Sequence, residues 1–185
     1  MKIILASKSG VRKKILDKYK ISSDVKVSNV DEDQIKESLL KQQATPLVIS
    51  KNLAEIKSVK VSNKNPDRYV LGADSVISLN DEIINKPNSR EEAFAILKKL
   101  NNSKHFLISS VCISKNSAMI WNYTDISELK MKNLTENQLK KWGCKYHKLS
   151  VGEKPAWSSN DGKNGHHTVA VNLVSSVGAG LGSHC

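Results

Sequence analysis

Residues 2–16 read KIILASKSGVRKKIL, and this stretch decides the fold. The apolar run at 3–5 predicts a buried strand. In the segment after this strand, Ile15 and Leu16 form the apolar side of a predicted helix. Between them, the small-residue turn Ser7–Gly10 joins the strand to the helix N-terminus. Backbone N–H groups and two hydroxyls therefore converge where the helix dipole attracts anions. The stretch predicts a phosphate pocket, and a serine cap with only a structural role is the alternative.

A second apolar run, YVLGADSVI at residues 69–77, carries a single carboxylate, Asp74. Asp is poorly suited to a strand and is costly to bury alone. Asp74 therefore needs a partner, which is a metal, a cation or a water molecule that it activates. The alternative is an ordinary Asp at the end of a strand that caps a turn. Lys86, fixed by the following Pro87, and a capping box at residues 89–92 come next.

Hydrophobic periods and capping residues organise the first 142 residues into alternating elements. We expect helices at 9–19, 33–42, from 45 onward, 89–100 and 135–142, and strands at 2–6, 24–29, 69–78, 82–85, 105–114, 118–123 and 125–131. The last three strands read as an antiparallel meander. Strands mixed with helices in this way predict an α/β sheet with helices packed around it.

The composition changes abruptly at residue 143, inside a helical pattern. Two of the nine glycines precede this point, whereas the last 43 residues hold the other seven and four of the five histidines. We expect a domain at 1–142 and a poorly ordered tail at 143–185, which we infer to be foreign to the domain through a frame change, a fusion or an assembly error. The histidines and cysteines of the tail lack the spacing of a structural zinc site.

Bulk composition limits the classes of function. The formal net charge is +11, which suits an anionic ligand, but aromatic residues make up only 5% of the chain and do not alternate with basic ones as in nucleic-acid stacking surfaces. Three cysteines without a framework spacing, no signal-peptide pattern and no long apolar run predict a cytoplasmic protein without membrane association.

Six elements in order resemble the Maf family of nucleoside triphosphate pyrophosphatases: Leu-Ala-Ser-Lys-Ser-Gly-Val-Arg at 5–12, Val-Asp-Glu at 30–32, Leu-Ala-Glu-Ile-Lys at 53–57, Gly-Ala-Asp-Ser at 72–75, Asn-Lys-Pro at 85–87, and His105. The resemblance covers residues 1 to about 142. It implies an elongated, twisted mixed sheet with flanking helices, similar to inosine triphosphatases, with two lobes and a central cleft. The C-terminal part of that fold is replaced or missing here.

The resemblance also implies a reaction, the hydrolysis of a nucleoside triphosphate, including non-standard or modified ones, to a monophosphate and pyrophosphate. It assigns Asp74 as general base, and Glu32 with Asp74 as ligands of a divalent cation, Mg²⁺ or Mn²⁺. The groups that it implies for phosphate binding are Ser7, Ser9, Arg12, Lys57 and Lys86. It ties Gly10 and Ser75 to base choice, but these positions depart from the usual Pro and Thr, so the preferred base does not carry over.

Alternatives stay open at several points. The alternative for Lys57 is a solvated lysine on a helix face, and the alternative for Glu32 is a solvated carboxylate in a turn. His105 is interpreted as structural, and Cys112 as a core residue. We expect reduced or absent activity, because segments that normally follow residue 142 in the family are not found. A nucleotide-binding or regulatory module without catalysis and a basic nucleic-acid-binding protein are the rival functions. The expected partner is a nucleoside triphosphate, and a homodimer is left open.

Overall fold

The computed structural model describes residues 1–145 and 157–158. Seven strands and five helices follow one another in these residues: β1 (Ile3–Leu5), α1 (Gly10–Lys18), β2 (Ser23–Val25), α2 (Glu32–Lys41), α3 (Pro46–Ser62), β3 (Val70–Leu79), β4 (Glu82–Ile84), α4 (Arg90–Leu100), β5 (Lys104–Lys115), β6 (Ala118–Met131), α5 (Glu136–Lys145) and β7 (Trp157–Ser158).

The strands form one mixed sheet in the order β2-β1-β3-β5-β6-β7, and β4 pairs with β3. Strand β1 is parallel to both of its neighbours, with Ile4 opposite Asp24 on one side and Val70 on the other. Strands β4 and β7 pair antiparallel with β3 and β6. Only two residues, Asn116 and Ser117, separate β5 from β6, and both have positive φ, as a tight hairpin turn requires. The predicted α/β class is confirmed.

Three predicted boundaries are wrong. Strand β2 ends at Val25 rather than continuing to residue 29, and α5 runs on to Lys145 rather than ending at 142. The two strands predicted at 118–123 and 125–131 are one strand, β6. Asp125 lies on the exposed surface of β6, where its charge remains hydrated, so it does not interrupt the strand as a buried Asp would.

The described chain forms two compact units, and each is described by itself. The first comprises Met1–Val76 and Ile108–Ile126. Its core contains a cluster of Ile4, Ala6, Val61 and Val70, and the buried side of α3 adds Ile49 and Leu53. Gly72 on β3 lies directly against α3: a Cβ at this position would overlap the carbonyl oxygen of Ala54 and come within 2.8 Å of Ser58 Cβ. This absence of a side chain lets α3 pack close to β3.

The second unit comprises Ile77–Leu107 and the described residues from Ser127 onward. Its core joins α4, β6 and α5 through Leu97, Leu100, Met131 and Leu139. Asn101 links the end of α4 to the segment before α5, because its amide donates to Leu134 O at 2.9 Å and its carbonyl oxygen accepts from Leu134 N at 2.8 Å.

The predicted division at residue 142 falls within α5, and the tail at 146–156 and 159–185 lies outside the described residues. The division into a domain and a tail therefore stays a prediction. In the part of the chain that the structure describes, no helix has the length and apolarity needed to cross a bilayer.

Candidate active site

The loop after β1 is organised by its own serines. Ser9 caps α1, and its hydroxyl accepts a hydrogen bond from Arg12 N at 3.4 Å. Ser7 Oγ accepts from Ser9 N at 3.2 Å and from Arg12 Nη1 at 3.1 Å. Both serines of the predicted phosphate pocket therefore shape the first turn of α1, whose remaining N–H groups point toward the loop as in other helix N-termini.

Arg12 is held on two sides by neutral groups. Besides the bond to Ser7, its Nη2 donates to Ser75 Oγ on β3 at 3.4 Å. Burial lowers the pKa of Arg12, and the nearby carboxylates of Asp74 and Glu32 act in the opposite direction. A guanidinium stays protonated in proteins even so, which leaves Arg12 as a fixed positive charge close to two carboxylates.

Lys57 connects the two predicted acidic residues. Its Nζ lies 2.7 Å from Asp74 Oδ1 and 2.9 Å from Glu32 Oε1, and its side chain is only 7% exposed. Glu32 is the first residue of α2, which Asp31 caps. The interpretation of Lys57 as a solvated lysine is wrong, because α3 turns this residue inward toward β3 and α2.

Asp74 lies at the middle of β3, not at the end of a strand, so the alternative of a turn-capping Asp is wrong. Its side chain is 7% exposed. Oδ1 accepts from Lys57, while Oδ2 has no hydrogen-bond partner among the described residues. A buried carboxylate oxygen without a partner is unfavourable in a folded protein and is therefore a candidate for binding a ligand or a water molecule.

Two of the acidic side chains are of the kind that could hold a divalent cation together with further ligands. Mg²⁺ is commonly held by one or two carboxylates, with water and substrate phosphates as its other ligands. Oδ2 of Asp74 and the half-exposed Glu32 supply such oxygens. Within residues 1–145 and 157–158, no group of three or more His, Cys, Asp or Glu side chains is arranged to hold a metal without such additional ligands.

The other predicted positions differ in their surroundings. Gly10 is the first residue of α1, and a Cβ there would meet nothing within 4 Å. Lys86 is exposed between β4 and α4, in the second unit. His105 and Cys112 are both buried, in agreement with their interpretation as structural residues. Burial lowers the pKa of His105, and a hydrogen bond with the Ser103 backbone partly offsets this.

Ser109 on β5 was not predicted from the sequence. Its hydroxyl lies 3.1 Å from Ser75 Oγ, so Ser109 contacts the serine to which Arg12 donates. The sequence signal was a pair of serines, Ser109 and Ser110, within the otherwise apolar stretch 106–113. That pattern does not identify which strand lies next to β5 in the sheet.

The family model of Maf-like proteins matches residues 2–150. This chain belongs to the Maf-like family. The match extends eight residues beyond the boundary at about 142 that the motifs indicated. It includes every predicted site residue.

Two relatives in sequence agree with this assignment. The chain is 62% identical over 143 residues to a nucleoside triphosphate pyrophosphatase of Pelagibacter ubique, an alignment that covers 75% of this chain and 73% of the relative. It is 34% identical to a 7-methyl-GTP pyrophosphatase of Brucella abortus, with 72% and 67% of the two chains covered. A solved HAM1 protein from Coxiella burnetii superposes with a TM-score of 0.46 at 14% identity, covering 71% of this chain and 73% of that one.

Proposed function

We propose that this chain is a nucleoside triphosphate pyrophosphatase, which hydrolyses its substrate between the α and β phosphates and releases a nucleoside monophosphate and pyrophosphate. One observation carries the proposal: Asp74 is buried, with one oxygen on Lys57 and the other without a hydrogen-bond partner in the described structure. The names of the two relatives above support the same class of reaction.

In this proposal Asp74 acts as the general base. Oδ2 takes a proton from the attacking water, while Lys57 on Oδ1 fixes the plane of the carboxylate and offsets its charge. A buried base held in one orientation needs little reorganisation during the reaction. A proton of the water moves to Asp74 Oδ2 and the water oxygen bonds to the α phosphorus. The bond from that phosphorus to the bridging oxygen breaks, and pyrophosphate leaves with that oxygen.

The cradle for the phosphates is the loop after β1. Arg12, with its guanidinium between Ser7 and Ser75, faces the polyanion, and the first turn of α1 adds backbone N–H groups. Lys57 is already engaged by two carboxylates, so its share in this proposal is to position Asp74 and Glu32. Direct phosphate contacts by Lys57 and Lys86 stay predictions.

Asp74 and Glu32 would hold the divalent cation, Mg²⁺ or Mn²⁺, which offsets phosphate charge when bound. We leave the preferred base open, since the name of only one of the two relatives specifies a base, and Gly10 and Ser75 depart from the family pattern. A cytoplasmic location, a homodimer and the reduced turnover expected for a chain without the segments that normally follow residue 142 also stay predictions.

The test is pyrophosphate release from a panel of standard and modified nucleoside triphosphates, with Mg²⁺ and with Mn²⁺. We expect Asp74→Asn to lower kcat by about 100-fold or more, because loss of a general base typically costs 10²–10⁴. The matched control is Asp125→Asn on exposed β6, which should retain wild-type turnover. Equal turnover in Asp74→Asn and wild type would contradict the mechanism. Nucleotide binding without any hydrolysis would favour the non-catalytic module instead.

A further inference from the structure

The guanidinium of Arg12 has two neutral hydroxyl partners although two carboxylates lie nearby. Ser7 Oγ accepts from Nη1 at 3.1 Å and Ser75 Oγ from Nη2 at 3.4 Å, while Asp74 and Glu32 act on Arg12 through longer-range charge interactions. A carboxylate is the stronger partner for a guanidinium, often binding it through two parallel hydrogen bonds. Holding Arg12 away from Asp74 is therefore a task that its two hydroxyl contacts can perform.

Ser75 is suited to that task only if its own hydroxyl is fixed. A serine hydroxyl has one proton and two lone pairs, and it rotates freely unless a second partner constrains it. Ser109 on β5 supplies this partner at 3.1 Å from Ser75 Oγ. With Arg12 donating to Ser75, the Ser75 proton is available to Ser109, so the three side chains form a continuous row from β5 through β3 to α1.

We propose that Ser109 is a positioning residue, which acts through Ser75 to keep the Arg12 guanidinium directed at substrate phosphate rather than at Asp74. The consequence for phosphate binding rests on the proposed function. Without Ser109, Ser75 is free to turn, and Arg12 swings toward the free Oδ2 of Asp74. That movement removes a cation from the phosphate cradle and masks the general base at the same time. It also gives Ser75 a role in holding Arg12, while its link to base choice stays a prediction.

Three variants separate positioning from simple packing. Ser109→Ala removes the hydroxyl, Ser109→Thr keeps it, and Ser114→Ala removes another hydroxyl from the same strand. Ser114 contacts Ser58, and Ser58 keeps its hydrogen bond to Glu55 O in that control. The side chain of Arg12 donates instead to Ser7 and Ser75. Thermal unfolding of each variant checks that the fold is kept, and Ser75→Ala provides a second break in the row if Ser109→Ala does not fold.

The first readout needs no ligand. The NMR signal of the Arg12 Nε–H group, assigned from its loss in Arg12→Lys, should shift in Ser109→Ala and stay in place in Ser109→Thr and Ser114→Ala. The second readout is the Kd for pyrophosphate with Mg²⁺, measured by calorimetry. We expect it to rise about 3- to 10-fold in Ser109→Ala, the range for one lost hydrogen bond, and to stay within about twofold in the other two variants.

A double-mutant comparison decides whether the effect passes through Arg12. In an Arg12→Lys background, Ser109→Ala should produce no further change in the Kd for pyrophosphate. An unchanged Arg12 signal in Ser109→Ala, or an equal loss of affinity in both backgrounds, would overturn the proposal. Pyrophosphate binding by a wild-type chain that hydrolyses no triphosphate would contradict the proposed function alone, because the NMR and binding comparisons would still report the position of Arg12.

Discussion

At the scale of single residues, the candidate site is a balance of charges that surrounds Lys57. Its ammonium lies within 2.9 Å of oxygens from both Asp74 and Glu32. Removing one partner of a buried ion pair leaves the other charge without compensation, which is far more costly than losing an exposed pair. Lys57 therefore has a structural role that can be measured without any assay of activity.

We expect Lys57→Met to lower the free energy of unfolding by about 3 kcal/mol, because buried Asp74 then loses the cation that is hydrogen-bonded to its Oδ1. The matched control is Lys51→Met on the exposed side of the same helix, which should change stability by less than about 0.5 kcal/mol. Urea unfolding followed by circular dichroism measures both. Equal stability of Lys57→Met and the wild type would show that the ion pairs do not form in solution.

Sequence reasoning identified the acidic and basic residues but not how they are paired. Asp74 was found because a carboxylate in an apolar run needs a partner, and that argument holds for any fold. The pairing of Lys57 with Glu32 and Asp74 depends on how α2 and α3 pack against β3, and no pattern in the sequence specifies that packing. The contact of Ser75 with Ser109 was missed for the same reason, since the two residues lie on different strands.

At the scale of elements, local signals predicted helix starts well. The observed caps Ser9, Asp31, Thr45 and Ser89 lie within two residues of the expected helix starts at 9, 33, 45 and 89. Each accepts a hydrogen bond from the first turn of its helix. Strand ends were predicted less well, because they depend on neighbouring strands: β2 stops early and β6 continues past Asp125. Capping is a property of four consecutive residues, whereas strand length is a property of the sheet.

The close packing of α3 on β3 can be tested by comparing the only two glycines of residues 1–142. Gly72 lies at the contact of the two elements, and Gly10 is the matched control. Gly72→Ala should destabilise the chain by about 3 kcal/mol, because the new Cβ meets the backbone of α3 and α3 must move. Gly10→Ala has open space at the start of α1 and should stabilise by about 0.5 kcal/mol. Denaturant unfolding tests the pair.

Gly72→Ala should also disturb the site, since Gly72 and Asp74 lie two residues apart on the same face of β3 while Ser58 and Lys57 are neighbours on α3. A displaced α3 lengthens the contact of Lys57 with Asp74 and should lower turnover even where the variant is folded. A Gly72→Ala chain with wild-type stability and wild-type turnover would show that α3 does not lie this close to β3.

At the scale of the whole molecule, the two compact units differ in what they contribute. The first unit carries Ser7, Arg12, Glu32, Lys57 and Asp74, and the second has its own core around Leu97 and Met131. The net charge of +11 belongs to the chain as a whole and favours encounters with any polyanion. Charge alone therefore does not distinguish a nucleotide enzyme from a nucleic-acid-binding protein. Hydrogen exchange that slows in only one unit when a small phosphate ligand binds does distinguish them.

Hydrogen exchange with and without pyrophosphate and Mg²⁺ makes this distinction. A ligand that binds only the folded unit slows the exchange of its most protected amides by the factor 1 + [L]/Kd, which is about 100-fold at 100 times Kd. We expect this slowing in β1, α3 and the first half of β3, whose residues belong to the first unit, and α4 of the second unit is the internal comparison. Slowing confined to α4 and α5, or none at any ligand concentration, would contradict a phosphate site on the loop after β1. A site built from one guanidinium and one helix N-terminus should select a small phosphate ligand over a nucleic acid. A short DNA duplex that slows exchange as much as pyrophosphate does would therefore favour the nucleic-acid-binding alternative.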